Sequence, residues 1–223
     1  MRIFGHRGAP GYPRQAENTI GSFKKALDCG AHGVEFDVRR CADGRIVVIH
    51  DETIDRTTNG SGHVAKLTYD QLRQFDAGFG EPIPLLTDVL DTFGGQFLLH
   101  IELKDAGIAN DVKNAVLGRN LQEQVIISSF QWPELAPFPP EVPIALLSSS
   151  LRNLVSSAIE LGAAAIHPRR DIVTPALVQA ARKANFQINV WTINDPAEVP
   201  IFRNLGVDAI FSDFPSRCLT FAS

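Results

Sequence analysis

The chain has 223 residues, of which 44% are hydrophobic and 21% are charged, and its formal net charge at neutral pH is −4. This composition excludes an intrinsically disordered chain, and the slightly acidic charge argues against a protein that binds nucleic acid or anionic lipid. An anionic ligand would therefore need locally placed cations. The length suits a barrel-sized unit, so we expect a single domain over residues 1–223.

Cysteine usage and the N-terminal sequence bear on the compartment. The three cysteines, Cys29, Cys41 and Cys218, are odd in number and far apart, which argues against a disulfide framework and for a reducing environment. The first predicted strand begins at Arg2, which leaves no room for a signal peptide, and no run of 18 apolar residues is present. We expect a cytoplasmic protein with no membrane partner. The oligomeric state stays open between monomer and homodimer.

Short β-type runs alternate with helical patterns along the chain. The predicted strands are Arg2–Phe4, Gly33–Arg39, Gln96–Leu103, Gln124–Ser128, Val142–Leu147, Ala164–His167, Gln187–Trp191 and Asp208–Ser212. The predicted helices lie near Glu17–Cys29, Thr87–Phe93, Ile108–Asn120, Leu151–Leu161, Pro175–Ala184 and Ala197–Asn204. Eight strands separated mostly by helices favour a closed parallel (β/α)8 barrel over an open doubly wound sheet.

One connection is too short for a parallel crossover. The runs GVEFDVRR and RIVVIHD meet across an Asp-Gly turn, which is a strong hairpin signal. If the turn centres on residues 42–43, paired residue numbers sum to 85, and His50 lies opposite Glu35. Glu35, Asp37 and His50 then share one face of the sheet, whereas a slip of one residue would turn His50 away.

Residues 52–85 interrupt the alternation with a polar, glycine- and proline-containing stretch. It is too long for a simple connection in a compact barrel, and insertions of this kind often form lids or binding loops. Within it, the run LTYDQL predicts a short capped helix that begins at Thr68 or Asp70. We expect a small inserted subdomain on the substrate side of the barrel.

Polar side chains cluster at the C-terminal ends of the predicted strands, where barrel active sites form. Glu35, Asp37 and Glu102 are predicted to converge on a divalent cation, Ca²⁺ or Mg²⁺, because such ions take oxygen ligands. The alternative is that the acids are neutralised singly, Glu35 by Arg39 and Glu102 by Lys104. Three carboxylates at inward-facing positions of neighbouring strands favour the metal site.

Two histidines are the acid–base candidates. His6 follows Gly5 at the end of the first strand, and His50 is predicted to face the carboxylates, which would raise its pKa. Two histidines beside a divalent ion suit cleavage of a phosphate ester, because one removes a proton and the other protonates the leaving alkoxide. The other histidines are predicted to be structural, with His167 the best placed of them to line a pocket: His32, His63, His100 and His167.

Three further side chains are candidates for substrate contacts. Arg7 would offer a planar fork to phosphate oxygens, and Lys104 would add a point charge. Trp191 would stack under a glycerol or alcohol group, although a tryptophan at a strand end serves equally well as core filler.

The motifs form an ordered set over almost the whole chain. They are GHRG at 5–8, ENT at 17–19, GVEFDVR at 33–39, VVIHDETIDRTTNGSG at 47–62, LTYDQLRQFDAG at 67–78, IPLLTDVL at 83–90, IELK at 101–104, ISSF at 127–130, VWTIN at 190–194 and IFSDFP at 210–215. Together they resemble the glycerophosphodiester phosphodiesterase family of the cytoplasmic bacterial type.

The resemblance implies a phosphatidylinositol-phospholipase-C-like barrel with a small inserted subdomain at about 52–85. It also implies the roles of seven residues: a divalent metal ion on Glu35, Asp37 and Glu102, acid–base catalysis by His6 and His50, and phosphate contacts from Arg7 and Lys104. The implied reaction hydrolyses a small glycerophosphodiester to sn-glycerol 3-phosphate and an alcohol. Either water or the neighbouring glycerol hydroxyl could attack.

Two other functions stay open. One is a lysophospholipase D-like enzyme of the same superfamily, against which the polar stretch at 57–61 argues. The other is a non-catalytic glycerophosphodiester-binding protein, against which the complete set of metal and histidine residues argues. Ala16, where the family usually has proline, and Gln131 after the ISSF motif depart from the common pattern and leave the alcohol preference open.

Overall fold

A computed structural model describes residues 1–222, which form one nine-stranded sheet. The strands are β1 (Arg2–His6), β2 (Gly33–Arg40), β3 (Ile46–Val48), β4 (Leu98–Leu103), β5 (Val125–Ser129), β6 (Ile144–Ser148), β7 (Ala165–Pro168), β8 (Gln187–Val190) and β9 (Ala209–Ser212). All except β3 pair in parallel, in the order β1-β9-β8-β7-β6-β5-β4-β2, and pairing of β1 with β2 closes the ring. The predicted (β/α)8 barrel is confirmed.

The described residues contain eight α-helices, of which the second belongs to the 52–85 segment and the others to the barrel. They are α1 (Ile20–Asp28), α2 (Tyr69–Leu72), α3 (Leu86–Phe93), α4 (Ala109–Leu117), α5 (Leu154–Glu160), α6 (Pro175–Lys183), α7 (Val199–Leu205) and α8 (Pro215–Leu219). Six of these match the predicted barrel helices, whereas α8 escaped the sequence analysis because a single turn carries little periodic signal. Over the described residues 1–222, none of the helices has the length and apolar character needed to cross a membrane.

The packing of β2 shows how the core positions the site. Val34, Phe36 and Val38 are fully buried in the main hydrophobic core, and the Phe36 ring packs 5.4 Å from that of Phe23 on α1. Because successive side chains of a strand point to opposite faces, this outward packing directs Glu35 and Asp37 into the barrel. The apolar residues of β2 thus fix the direction of its two acids.

The hairpin register differs from the prediction. β3 pairs antiparallel with β2 so that Val38 lies opposite Val48, and paired residue numbers sum to 86, not 85. The predicted register is therefore wrong by one residue, because Gly44 adopts a left-handed φ of 85° and lengthens the turn to three residues. Because β3 ends at Val48, the alternation of side chains between the two faces of the sheet does not determine where His50 points. The chain bends there, and the carbonyl of His50 accepts a 2.9 Å hydrogen bond from Nε of Arg39.

The segment 52–85 has a small hydrophobic cluster of its own. Ile54, Val64, Leu72 and Ile83 are buried there against the β2–β3 hairpin. Helix α2 begins after Thr68, whose hydroxyl accepts the N–H of residue 71 while the side chain at 71 accepts the Thr68 N–H. Of the two predicted starting residues, Thr68 is the right one. We propose that the segment is a subdomain inserted into one barrel domain.

Candidate active site

The parallel register places the predicted site residues side by side at one end of the barrel. His6 of β1 lies opposite Glu35 of β2, and Asp37 of β2 lies opposite Glu102 of β4. A cleft of about 430 Å³ opens at this end. Seven of the eight predicted site residues line it: His6, Arg7, Glu35, His50, Glu102, Lys104 and Trp191.

Three carboxylates form a tight cluster at the base of the cleft. Glu35, Asp37 and Glu102 are buried, and each offers one oxygen within 4.8 Å of those of the others. Two cations adjoin them: Lys104 Nζ lies 2.7 Å from an oxygen of Glu102 and 3.6 Å from one of Asp37, and Arg7 Nε lies 3.3 Å from the other oxygen of Asp37. The sequence therefore predicted the grouping of all three acids correctly.

Of the two ion pairs named in the alternative interpretation, one is present. The Glu102–Lys104 pair is present. Arg39, by contrast, forms its ion pair with Asp105 and not with Glu35. Glu35 instead accepts the backbone N–H of Arg7 at 3.1 Å, which does not neutralise its charge.

Burial and mutual repulsion disfavour the charged forms of two acids of the cluster. Burial, reinforced by the charge of Asp37, raises the pKa of Glu35 to about 7 and that of Glu102 to about 8. Burial acts on Asp37 in the same direction, but Arg7 and Lys104 outweigh it and lower the pKa of Asp37. Three buried carboxylates whose ionised forms repel one another fit a hard divalent cation, which takes oxygen ligands.

The GHRG motif is a tight turn that needs its glycines. A Cβ on Gly5 would lie 2.1 Å from the carbonyl oxygen of Gly8, and Gly8 itself has a φ of 93°. Arg7 also adopts a left-handed φ of 53°, which costs a side-chain-bearing residue roughly 1–2 kcal/mol. Such backbone strain concentrates at functional sites. Here it brings His6 and Arg7 together into the cleft.

His6 is held by a carboxylate from the other end of the chain. Its Nδ1 lies 2.7 Å from Oδ1 of Asp213, directly after β9. Asn194 donates to the other oxygen of Asp213 at 2.6 Å and accepts the Asp213 N–H at 2.9 Å. Burial opposes protonation of His6, but the Asp213 hydrogen bond and the charge of Glu35 outweigh it, so the pKa of His6 is raised.

Asp213 and Asn194 were not among the predicted site residues. Their only sequence signal is that each is a polar residue just after a strand, within IFSDFP and VWTIN. Asn18, in the ENT motif, was also missed; it donates to Asp37 at 2.9 Å. Asp213 and Asn194 would have been found if every polar residue that follows a predicted strand had been treated as a candidate site residue.

We expect Asp213→Asn to lower kcat for phosphodiester hydrolysis by about 10- to 100-fold, the value of a charge-assisted hydrogen bond. Loss of the carboxylate removes the interaction that raises the pKa of His6, so the limb of the pH–rate profile that reports His6 should move to lower pH. Asp208→Asn, at the opposite end of β9, is the matched control and should leave the profile unchanged. An unshifted profile for Asp213→Asn would contradict the pairing.

His50 is oriented by its own neighbour. Its Nδ1 lies 2.6 Å from Oδ1 of Asp51. The predicted rise of its pKa is wrong: burial, together with the charges of Arg7 and Lys104, outweighs the opposing effects of Asp37 and Asp51 and lowers it. The pKa values of His6 and His50 are thus shifted in opposite directions, a pattern that suits an acid–base pair.

An aromatic wall closes one side of the cleft. The indole N–H of Trp191 donates to the carbonyl of His167 at 2.8 Å, and Phe130 stands edge-on to the indole at a ring separation of 5.6 Å. His167 also lines the cleft, whereas His100 is fully buried beneath it, 4.3 Å from the ring of Phe4. Phe130, which is 45% exposed, was not predicted.

Comparisons with known proteins agree with this geometry. The sequence profile described as "Glycerophosphoryl diester phosphodiesterase family" matches residues 6–217. The chain is 36% identical to a glycerophosphodiester phosphodiesterase of Caldanaerobacter subterraneus subsp. tengcongensis, over 97% of this chain and 96% of that protein. It is also 36% identical to a protein of the same name from Bacillus altitudinis, over 98% and 96% of the two chains.

Solved structures show the same similarity. A glycerophosphodiester phosphodiesterase from Agrobacterium tumefaciens superimposes with a TM-score of 0.86 at 30% identity, over 99% of each chain. An Oleispira antarctica phosphodiesterase in complex with the product sn-glycerol-3-phosphate gives a TM-score of 0.88 at 27% identity, over 99% of this chain and 96% of that one. The chain belongs to the glycerophosphoryl diester phosphodiesterase family.

Proposed function

We propose that the protein hydrolyses glycerophosphodiesters to sn-glycerol 3-phosphate and an alcohol, with a divalent cation on Glu35, Asp37 and Glu102 and with His6 and His50 as the acid–base pair. The observation that carries the proposal is that both histidines line one cleft with the carboxylate cluster, each backed by a carboxylate at Nδ1. Family membership and the product bound to the Oleispira protein support the reaction class.

The phosphate is bound by cations at the base of the cleft. When bound, a divalent ion supplies positive charge to the phosphodiester and to the oxyanions that develop on it. Arg7 adds a planar guanidinium that lines the cleft and can donate to phosphate oxygens, while its Nε stays 3.3 Å from Asp37. Lys104 contributes a second fixed charge beside Glu102 and Asp37.

Proton transfer falls to the two histidines. Asp213 and Asp51 each occupy Nδ1 of one ring, which leaves Nε2 as the reacting nitrogen of both His6 and His50. One histidine takes the proton of the attacking hydroxyl, from water or from the substrate's glycerol, and the other donates a proton to the leaving alkoxide. Trp191 and Phe130 offer apolar surface to the carbon atoms of the glycerol or the alcohol.

The test is to identify the product. Glycerol 3-phosphate release is followed with glycerophosphocholine and glycerophosphoethanolamine as separate substrates, and release of choline and lysophosphatidic acid is followed with lysophosphatidylcholine, all in the presence of Mg²⁺ or Ca²⁺. We expect release from the two glycerophosphodiesters. Turnover of the lysolipid alone would favour the lysophospholipase D-like function, and binding without turnover of any substrate would favour a binding protein.

The cytoplasmic location, the absence of nucleic-acid and membrane partners, and the oligomeric state stay predictions.

A further inference from the structure

Arg56 of the inserted segment spans two carboxylates at the rim of the cleft. Its Nε and one terminal nitrogen donate to Asp51 at 2.6 and 3.0 Å. Its two terminal nitrogens donate to Glu17 at 2.9 and 2.7 Å. All three guanidinium nitrogens therefore point at carboxylate oxygens, a planar double fork that a lysine ammonium cannot reproduce.

Each of these carboxylates also holds a residue of the cleft. The Glu17 oxygen that accepts from Arg56 also accepts from Arg7 at 2.9 Å. The Asp51 oxygen that accepts from Arg56 also lies 2.6 Å from Nδ1 of His50. An unbroken chain of charged contacts thus runs from Arg7 through Glu17, Arg56 and Asp51 to His50.

The two ends of this chain come from different parts of the fold. Arg7 follows β1, and His50 follows the β2–β3 hairpin. Arg56 lies in a third part, the insertion, close to Ile54 in the small hydrophobic cluster. Without Arg56, Glu17 and Asp51 would lose the cation that joins them, and each could turn toward water and release the side chain that it orients, Arg7 or His50.

We propose that Arg56 is a positioning residue of the inserted segment, which fixes Arg7 and His50 in one arrangement through Glu17 and Asp51. The inference rests on the proposed function, because Arg7 and His50 act in hydrolysis there. The proposal gives the insertion a part in catalysis. The fold of the insertion determines the position of Arg56, and Arg56 determines the orientation of Arg7, which binds phosphate, and of His50, which transfers protons.

The test compares Arg56→Ala and Arg56→Lys by kcat and KM for glycerophosphocholine. For Arg56→Ala we expect kcat/KM to fall by about 10- to 100-fold, with a lower kcat from His50 and a higher KM from Arg7. Arg56→Lys should recover part of the loss, because it restores the charge but not the double fork. The removed side chain is half exposed, so millimolar guanidinium can enter the space and should raise the activity of Arg56→Ala but not that of wild type.

Arg45→Ala is the matched control. Arg45 is as exposed as Arg56, faces two carboxylates, Asp43 at 3.6 Å and Asp70 at 3.7 Å, and lies over the ring of Tyr69, away from the cleft. It should keep wild-type kcat and KM, with and without guanidinium. Thermal unfolding of all variants separates positioning from folding, since a rescue by guanidinium requires a folded site.

Three results would overturn the inference, and they are distinguishable. An active wild type with an equally active Arg56→Ala variant removes the role of Arg56 and leaves the proposed function standing. The same holds for a loss in Arg56→Ala that guanidinium does not restore and that matches a fall in Tm. A wild type that releases no glycerol 3-phosphate overturns the proposed function and this inference with it.

Discussion

Replacing His6 with alanine is expected to lower kcat by about 10²–10⁴-fold while KM changes little, because a positioned acid or base contributes that much to a proton-transfer step. His6 lies in the cleft and not in the apolar core, so the variant should fold. The measurement is the initial rate of glycerol 3-phosphate release at saturating divalent ion, with Tm recorded alongside. His50→Ala should behave in the same way.

The double variant tests whether the two histidines act in one step. If both are needed for the same proton transfers, removing His50 from a His6→Ala enzyme should cost far less than removing it from wild type. His63→Ala is the control, because His63 is exposed on the insertion and should leave kcat unchanged. A His6→Ala enzyme with wild-type kcat would remove His6 from the mechanism.

The barrel and the direction of its acids were predictable because they depend on local patterns. In β2, buried Val34, Phe36 and Val38 alternate with Glu35 and Asp37, and only one arrangement of that strand buries the apolar set. The same reasoning at eight strands gives a closed ring. Once the ring is closed, the ends of its strands are neighbours, which is why three acids from β2 and β4 were correctly grouped.

The hairpin shows where local reasoning fails. A two-residue turn and a three-residue turn both suit the Asp-Gly pair, and the left-handed φ of Gly44 selects the longer one. His50 was then placed correctly in the cleft for the wrong reason. It reaches the cleft because β3 stops at Val48, and the end of a three-residue strand is not encoded in an alternating pattern.

The side-chain partners of the catalytic residues were the least predictable part of the site. His6 and Asp213 are 207 residues apart, and they meet only because β9 pairs with β1 in the closed barrel. Likewise Arg56 reaches Glu17 across 39 residues through the fold of the insertion. The predicted direction of the His50 pKa shift was wrong for a related reason. Burial and the charges of Arg7 and Lys104 lower this pKa more than the neighbouring acids raise it, and a sequence pattern does not show where those two cations lie.

Asp37→Asn is expected to abolish both divalent-ion binding and activity, with a loss in kcat of about 10³-fold or more, because metal stabilisation of developing charge supplies several kcal/mol. Asp37 is the acid of the cluster that stays ionised, and it contacts Arg7, Lys104 and Asn18. Removing the ion from wild type with EDTA should give the same loss, and excess Mg²⁺ or Ca²⁺ should restore activity in wild type only.

The sign of the pH dependence distinguishes a metal site from a structural acid cluster. With their pKa values raised to about 7 and about 8, Glu35 is about half protonated and Glu102 largely protonated at neutral pH in the absence of the ion, and both are protonated further below it. A divalent ion requires the ionised forms, so its binding should release protons, and its affinity should fall as the pH drops from 8 through 7. Calorimetry in two buffers of different ionisation enthalpy measures the release.

Asp91→Asn, remote from the cleft and paired with Arg119, is the control variant. Heats that do not depend on the buffer, or an Asp37→Asn protein that binds the ion as wild type does, would contradict the site, because an ion on the three carboxylates must displace the protons of Glu35 and Glu102 and needs the charge of Asp37.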